Sequence, residues 1–126
     1  MIMITGGAFQ GKREFAIQHF GLSESDIADG GSCDLSALTN ARCVTDYELA
    51  VRRMIADKTD PLEFTRELGC EIVIMNEIGS GIIPLDKAER EWREMTGRAG
   101  CILADRAETV YRLCCGIPTK IKGEAH

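Results

Sequence analysis

Residues 6–12 read Gly6-Gly7-Ala8-Phe9-Gln10-Gly11-Lys12, which fits the spacing G-x-x-x-x-G-K. In that pattern consecutive backbone N–H groups curl around an anion and the lysine reaches the outer phosphates of a nucleotide. The motif ends in Ser or Thr, whose hydroxyl helps to hold magnesium, and here Arg13 stands in that place. The chemistry supported is therefore phosphate binding by Gly6, Gly7, Ala8, Phe9, Gln10, Gly11, Lys12 and Arg13, with magnesium binding weakened. Arg13 either supplies guanidinium charge in place of the metal or fills its site, and the residues leave both readings open. A second polar pair, Asn76-Glu77, follows the apolar run Ile72-Val73-Ile74-Met75. Phosphoryl transfer needs a phosphate cradle, a cation and a carboxylate for the metal or the attacking hydroxyl. Lys12 and Glu77 are the candidates for the last two, with Glu77 the candidate metal ligand and Asn76 a candidate nucleotide contact.

These residues need elements to hold them. Ile2 to Thr5 reads as a strand, and Phe15, Ala16, His19 and Phe20 recur at helical spacing from Lys12 until Gly21 caps the helix. A strand, a loop and a helix in that order place the positive helix end at the loop. His19 reads as a partly buried helix residue. Residues 22–40 are rich in Ser, Asp and Gly and read as loop with at most one short strand or helical turn. Thr45-Asp46-Tyr47-Glu48 has the capping-box form, opening an amphipathic helix with Tyr47, Ala50, Val51, Met54 and Ile55 inside and Arg52 and Arg53 solvated. Asp60-Pro61 caps a second short helix that Gly69 ends.

The run Ile72 to Met75 is apolar throughout, as a strand covered on both faces must be. Asn76, Glu77 and the glycines of Gly79-Ser80-Gly81 then fall just past the carboxyl end of a central strand, where open α/β sheets bind ligands. Pro84 leads into a helix with Leu85, Ala88, Trp92 and Met95 along one stripe and Trp92 in the core. Gly97 and Gly100 are expected to bend or interrupt it. Val110 to Cys115 is the last strand, ended by Gly116-Ile117-Pro118.

The chain has 126 residues, and 15 Lys and Arg against 20 Asp and Glu give a net charge of −5. That length bounds it to a single domain over 1–126. The basic residues are scattered, which argues against nucleic acid as a partner. No apolar run approaches the ~20 residues of a membrane helix and the start is too soon interrupted for a secretory signal, so a soluble, cytoplasmic protein is expected. The cysteines form no C-x-x-C pair and read as small buried thiols.

Together, GGAFQGK at the front, NEIGSGIIP from Asn76, the helix passing Gly97-Arg98 and the strand running into GIPTKIK resemble the adenosylcobinamide kinase/adenosylcobinamide-phosphate guanylyltransferase family of cobalamin biosynthesis. The resemblance implies a P-loop NTPase-like α/β fold, here shortened: a three-layer sandwich with a mostly parallel sheet and helices on both faces. It implies phosphoryl transfer from ATP or GTP to the hydroxyl of cobinamide, followed by GMP transfer through a histidine. The H-R-x-x-R-type motif that carries this histidine in the family has no counterpart here, and His19 does not take its place. Two other classes of function stay open: a non-catalytic nucleotide-binding module or partner of a full-length enzyme, and a P-loop kinase for another small metabolite. With so few strands an open sheet edge is expected, and with it a homo-oligomer.

Overall fold

Two apolar runs lie side by side at the centre of the sheet. In the computed structural model, which describes residues 1–7, 11–78 and 86–123, strand β1 (Ile2–Gly6) runs parallel to β4 (Ile72–Asn76), pairing Ile4 with Ile74 and Gly6 with Asn76. Between them in the chain come helix α1 (Lys12–Phe20), a 3-10 turn (Glu24–Asp26), β2 (Ile27–Asp29), α2 (Leu35–Leu38), β3 (Cys43–Thr45), α3 (Tyr47–Ala56) and α4 (Pro61–Glu67). After β4 follow α5 (Lys87–Arg106), β5 (Thr109–Cys114) and β6 (Ile117–Lys122). The sheet order is β2-β3-β4-β1-β5-β6, parallel throughout except for the antiparallel β5–β6 pair. This is the mostly parallel, P-loop NTPase-like α/β sheet that the sequence led us to expect.

Because successive residues of a strand face opposite ways, each central strand feeds two cores. Met3, Val73, Met75 and Val110 pack under Tyr47, Ala50 and Met54 of α3 and Leu103 of α5. Ile4, Ile72, Ile74 and Leu113 pack under Ala16 of α1 and Leu22. Helices thus cover both faces, and each fully buried Ile, Val or Leu contributes about 1.5–3 kcal/mol. At Gly6 the backbone of β1 lies tight against β5: a Cβ there would come 2.5 Å from the Leu113 carbonyl oxygen, on a backbone at φ 142°.

Several local expectations are corrected. Gly97 and Gly100 do not interrupt α5, which runs unbroken from Lys87 to Arg106, and Gly100 packs against β4 with Met75 Cε 2.9 Å from where a Cβ would be. Its start is capped by the Asp86 side chain, which accepts from the Glu89 N–H at 2.8 Å. Trp92 is only half-buried, with the Arg52 guanidinium 3.8 Å over its ring. Gly116-Ile117-Pro118 does not simply end the last strand: Cys115 and Gly116, at φ 52° and 78°, make a two-residue turn into β6. β6 is exposed along its whole length, Ile117 to 68% and Ile121 to 58%. Residues 22–40 hold β2 and α2 as well as loop. Only Cys43 and Cys70 are buried thiols, pushed by that burial up to about 12 and about 11, whereas Cys101, Cys114 and Cys115 lie at the surface. His19 is exposed, not partly buried, its ring stacked 4.9 Å from that of Phe15.

The Asp60 cap is as expected, its side chain accepting from the N–H groups of Leu62 and Glu63 with Pro61 in the first turn. The Thr45–Glu48 capping box does not form. Thr45 ends β3, and Asp46 takes the cap position with a left-handed backbone at φ 51°. The Glu48 carboxylate turns inward instead.

Among the described residues no helix is long and apolar enough to cross a membrane.

Candidate functional site

The parallel strands all deliver their carboxyl ends to one edge, and α1 starts from the same edge. Lys12, in the first turn of α1, is only 6% exposed, and its Nζ donates to the Gly7 carbonyl oxygen at 2.5 Å. The lysine therefore lies over the opening of the loop that Gly6 begins. Burial lowers its affinity for a proton, while the charges of Glu48, Asp46, Glu77 and Glu14 act the other way. Gly11 caps α1 with a left-handed backbone at φ 85°. Ala8, Phe9 and Gln10, the middle of the proposed cradle, lie outside the described residues, as do Gly79 to Leu85.

Asn76 and Glu77 stand beside the loop, with the Glu77 N–H donating to the Gly6 carbonyl at 2.8 Å. Their side chains go different ways. Asn76 turns to Glu48: its backbone N–H reaches Glu48 Oε1 at 2.9 Å and its Nδ2 reaches Oε2 at 3.1 Å. Glu77 turns to β5 and takes both hydrogen bonds of the Arg112 guanidinium, at 2.7 and 3.0 Å. Those bonds hold the Glu77 carboxyl below its usual range. Arg13 points outward, its guanidinium 2.5 Å from Glu24 Oε2, so it is committed to a surface partner.

Reasoning from sequence missed Glu48. It is 4% exposed, and burial raises its carboxyl above the usual range although both Asn76 bonds favour the charged form. Its backbone carbonyl accepts from Trp92 Nε1 at 2.8 Å, tying α3 to α5. The signal was present: Glu48 lies one turn before the buried Val51, so its position on α3 borders the inner face. Asp46 adds a second acid beside it, raised by burial and by Asp29 and lowered by Lys12 and Arg13.

Among the described residues no three His, Cys, Asp or Glu side chains come together as a metal cage. Glu77 already answers Arg112, and position 13 has no hydroxyl. A magnesium–nucleotide complex would bring its own ligands as phosphate oxygens and water.

The fold and this edge define a P-loop NTPase-like α/β protein with a buried lysine at the loop. The chain belongs to the cobinamide kinase / cobinamide phosphate guanyltransferase family, which it matches over residues 33–121. That match covers β3, Glu48, Asn76, Glu77 and Arg112, while residues 6–13 precede it. The bifunctional adenosylcobalamin biosynthesis protein CobU of Salmonella typhimurium strain LT2 is 37% identical over 51 residues, 40% of this chain and 28% of that protein. Its counterpart in Escherichia coli strain K12 gives the same figures. CobP of Pseudomonas aeruginosa strain PAO1 is 32% identical over 74 residues, 58% of this chain and 43% of that protein. The matched stretches thus span less than half the length of these relatives.

Proposed function

We propose that residues 1–126 form one nucleotide-binding domain that holds the phosphates of ATP or GTP in the loop Gly6 to Arg13 and passes a phosphoryl group to a cobinamide-like hydroxyl. The observation that supports this best is Lys12, buried beside the loop carbonyl of Gly7 and surrounded by Glu48, Asp46 and Glu77, in a chain of the cobinamide kinase family. Phosphoryl transfer relies on positioning and charge compensation, and here the lysine supplies the charge while Asn76 borders the loop. The reading stops at phosphoryl transfer, because residues 1–126 carry no counterpart of the H-R-x-x-R-type motif on which guanylyl transfer would rest. The open edge at β6 fits a homo-oligomer, and a monomer by light scattering removes that part. The cytoplasm is the expected location.

Lys12→Ala should weaken triphosphate binding by about 1.5–3 kcal/mol, the range for losing a charged hydrogen bond. Titration calorimetry with ATP and GTP on both proteins checks this, and equal affinities overturn it. Mass spectrometry of cobinamide incubated with the protein and nucleotide checks transfer. One observation favours a second reading, a binding module or partner of a full-length enzyme: the Glu77 carboxylate is already taken by Arg112. Nucleotide affinity that ignores magnesium, with no phosphorylated product, selects that reading.

A further inference from the structure

Glu48 is the least accessible carboxylate at the carboxyl edge of the sheet, and the reading above leaves it without a task. Burying a charge is expensive unless it is paired and hydrogen-bonded. Glu48 meets both conditions. Its two oxygens are divided between the backbone and the side-chain amide of Asn76. Asn76 lies opposite Gly6 in the sheet, and the carbonyl of the next residue, Gly7, holds the Lys12 ammonium, so a short chain of bonded groups leads from the Glu48 carboxylate to the lysine. The charges of Glu48, Asp46 on the β3–α3 junction, Glu77 after β4 and Glu14 on α1 all favour the protonated form of Lys12. A helical acid with no such partners would have completed the capping box on the surface; this one is anchored through its own carbonyl to Trp92.

We infer that Glu48 is a positioning residue for the phosphate site: it fixes Asn76 against the end of β4 and sets a buried carboxylate behind the loop over which Lys12 lies. Glu48 acts through these two groups and does not itself touch the phosphates. This deepens the proposed function, since it rests on Lys12 being the phosphate lysine, but its physical core is testable without any nucleotide.

Glu48→Gln is close to isosteric. It keeps an acceptor for the Asn76 N–H, and Asn76 can turn its amide to match the new donor, so the change removes charge with little change of shape. Protein carrying lysine labelled with 13C at Cε reports the titration of Lys12 directly, with Lys12→Arg identifying its resonance. The Lys12 midpoint should fall in Glu48→Gln, fall less in Asp46→Asn, and stay lower still than wild type in the double variant. An unchanged midpoint in Glu48→Gln overturns the inference. Wild-type protein gives a second reading that needs no folded Glu48 variant: the Lys12 resonance should show a small inflection in acid as Glu48 takes up its proton, retained in Asp46→Asn. No inflection there also overturns it. With ATP, Glu48→Gln should lose about tenfold in affinity at alkaline pH relative to wild type and much less at neutral pH, as expected when a charged hydrogen bond to phosphate is lost. A pH-independent loss means a merely structural role and overturns the inference. If wild type binds no nucleotide at all, the proposed function fails while the lysine titration still decides the role of Glu48.

Discussion

Glu48 and Glu77 leave neighbouring parts of the same sheet edge, and both act on Lys12, yet they are opposite kinds of acid. Glu48 is 4% exposed and held by an amide, so desolvation dominates and its carboxyl is raised. Glu77 has a side chain 39% exposed and is held by a guanidinium, so the hydrogen bonds dominate and its carboxyl is lowered. The partner and the depth of burial, not the residue type, decide which acid is costly to ionise. It follows that the accessible acid is the one whose charge is already balanced, while the buried one, held by an amide, is the costlier to ionise.

The comparison depends on β1 lying tightly between β4 and β5, and Gly6→Ala breaks it most severely. The added Cβ would meet the Leu113 carbonyl oxygen at 2.5 Å on a backbone that disfavours side chains. β1 and β5 would have to part at Gly6, whose carbonyl also holds the Glu77 N–H on the β4 side. A loss of about 3 kcal/mol or more in urea denaturation is expected, from overpacking and backbone strain together. A loss under about 1 kcal/mol would show that the edge is looser than this.

The opposite signs of the two acids can be read as stability against pH. A carboxyl raised in the folded state contributes stability that is present below its unfolded value and is lost as pH rises through its folded value. For a lowered carboxyl the contribution is present above the unfolded value and is lost as pH falls through the folded one. Relative to wild type, Glu48→Gln should therefore gain stability on going from acid to neutral pH, and Glu77→Gln should lose it. Denaturation curves of the three proteins from about pH 2 to 8, a range that runs below and above the ordinary glutamate value of about 4.3, check this. Parallel slopes for the two variants would erase the distinction.

Arg112 is the lever on the exposed member alone. Arg112→Met should return the Glu77 carboxyl toward its usual range and free its oxygens, so that nucleotide binding becomes more responsive to magnesium. Arg13→Ser should push in the same direction by restoring a hydroxyl. Affinities measured with and without the metal test both, and no change in either variant argues against any metal role for Glu77.

How much of this edge could be read from sequence follows from the range of the interactions involved. The strands β1, β4 and β5 and the start of α1 were legible because apolar runs and a glycine before a helix are local patterns, and they carried Lys12, Asn76 and Glu77 to one edge. Glu48 was misread because its partner is far away in sequence: the capping box and the bond to Asn76 compete for one carboxylate, and only the folded sheet decides between them. Arg112 gave no signal, being one exposed residue of a strand until Glu77 is placed opposite it. β6 gave no strand signal because its apolar residues are exposed, so no burial pattern marks it. The glycines of α5 misled for a related reason, since packing against β4 outweighs a propensity cost of ~1 kcal/mol each.

That last point yields the smallest effect, and a control. Gly97 lies exposed on α5 with nothing within 4 Å of a Cβ, whereas a Cβ on Gly100 would approach the flexible end of Met75 at 2.9 Å. Gly97→Ala should stabilise by about 0.5–1 kcal/mol, because alanine narrows the unfolded ensemble and favours the helix. Gly100→Ala gains the same propensity and then gives back part or all of it by displacing Met75, so a net change within about 1 kcal/mol of zero is expected. Thermal and urea denaturation rank the two. Neither substitution touches Asn76, Glu48 or Arg112, so the opposed pH slopes of the Glu48 and Glu77 variants should survive in a Gly97→Ala background. If stiffening α5 alters the Glu48 slope and not that of Glu77, the Trp92 bond to the Glu48 carbonyl transmits more than placement, and α5 belongs to the site as well as to the core.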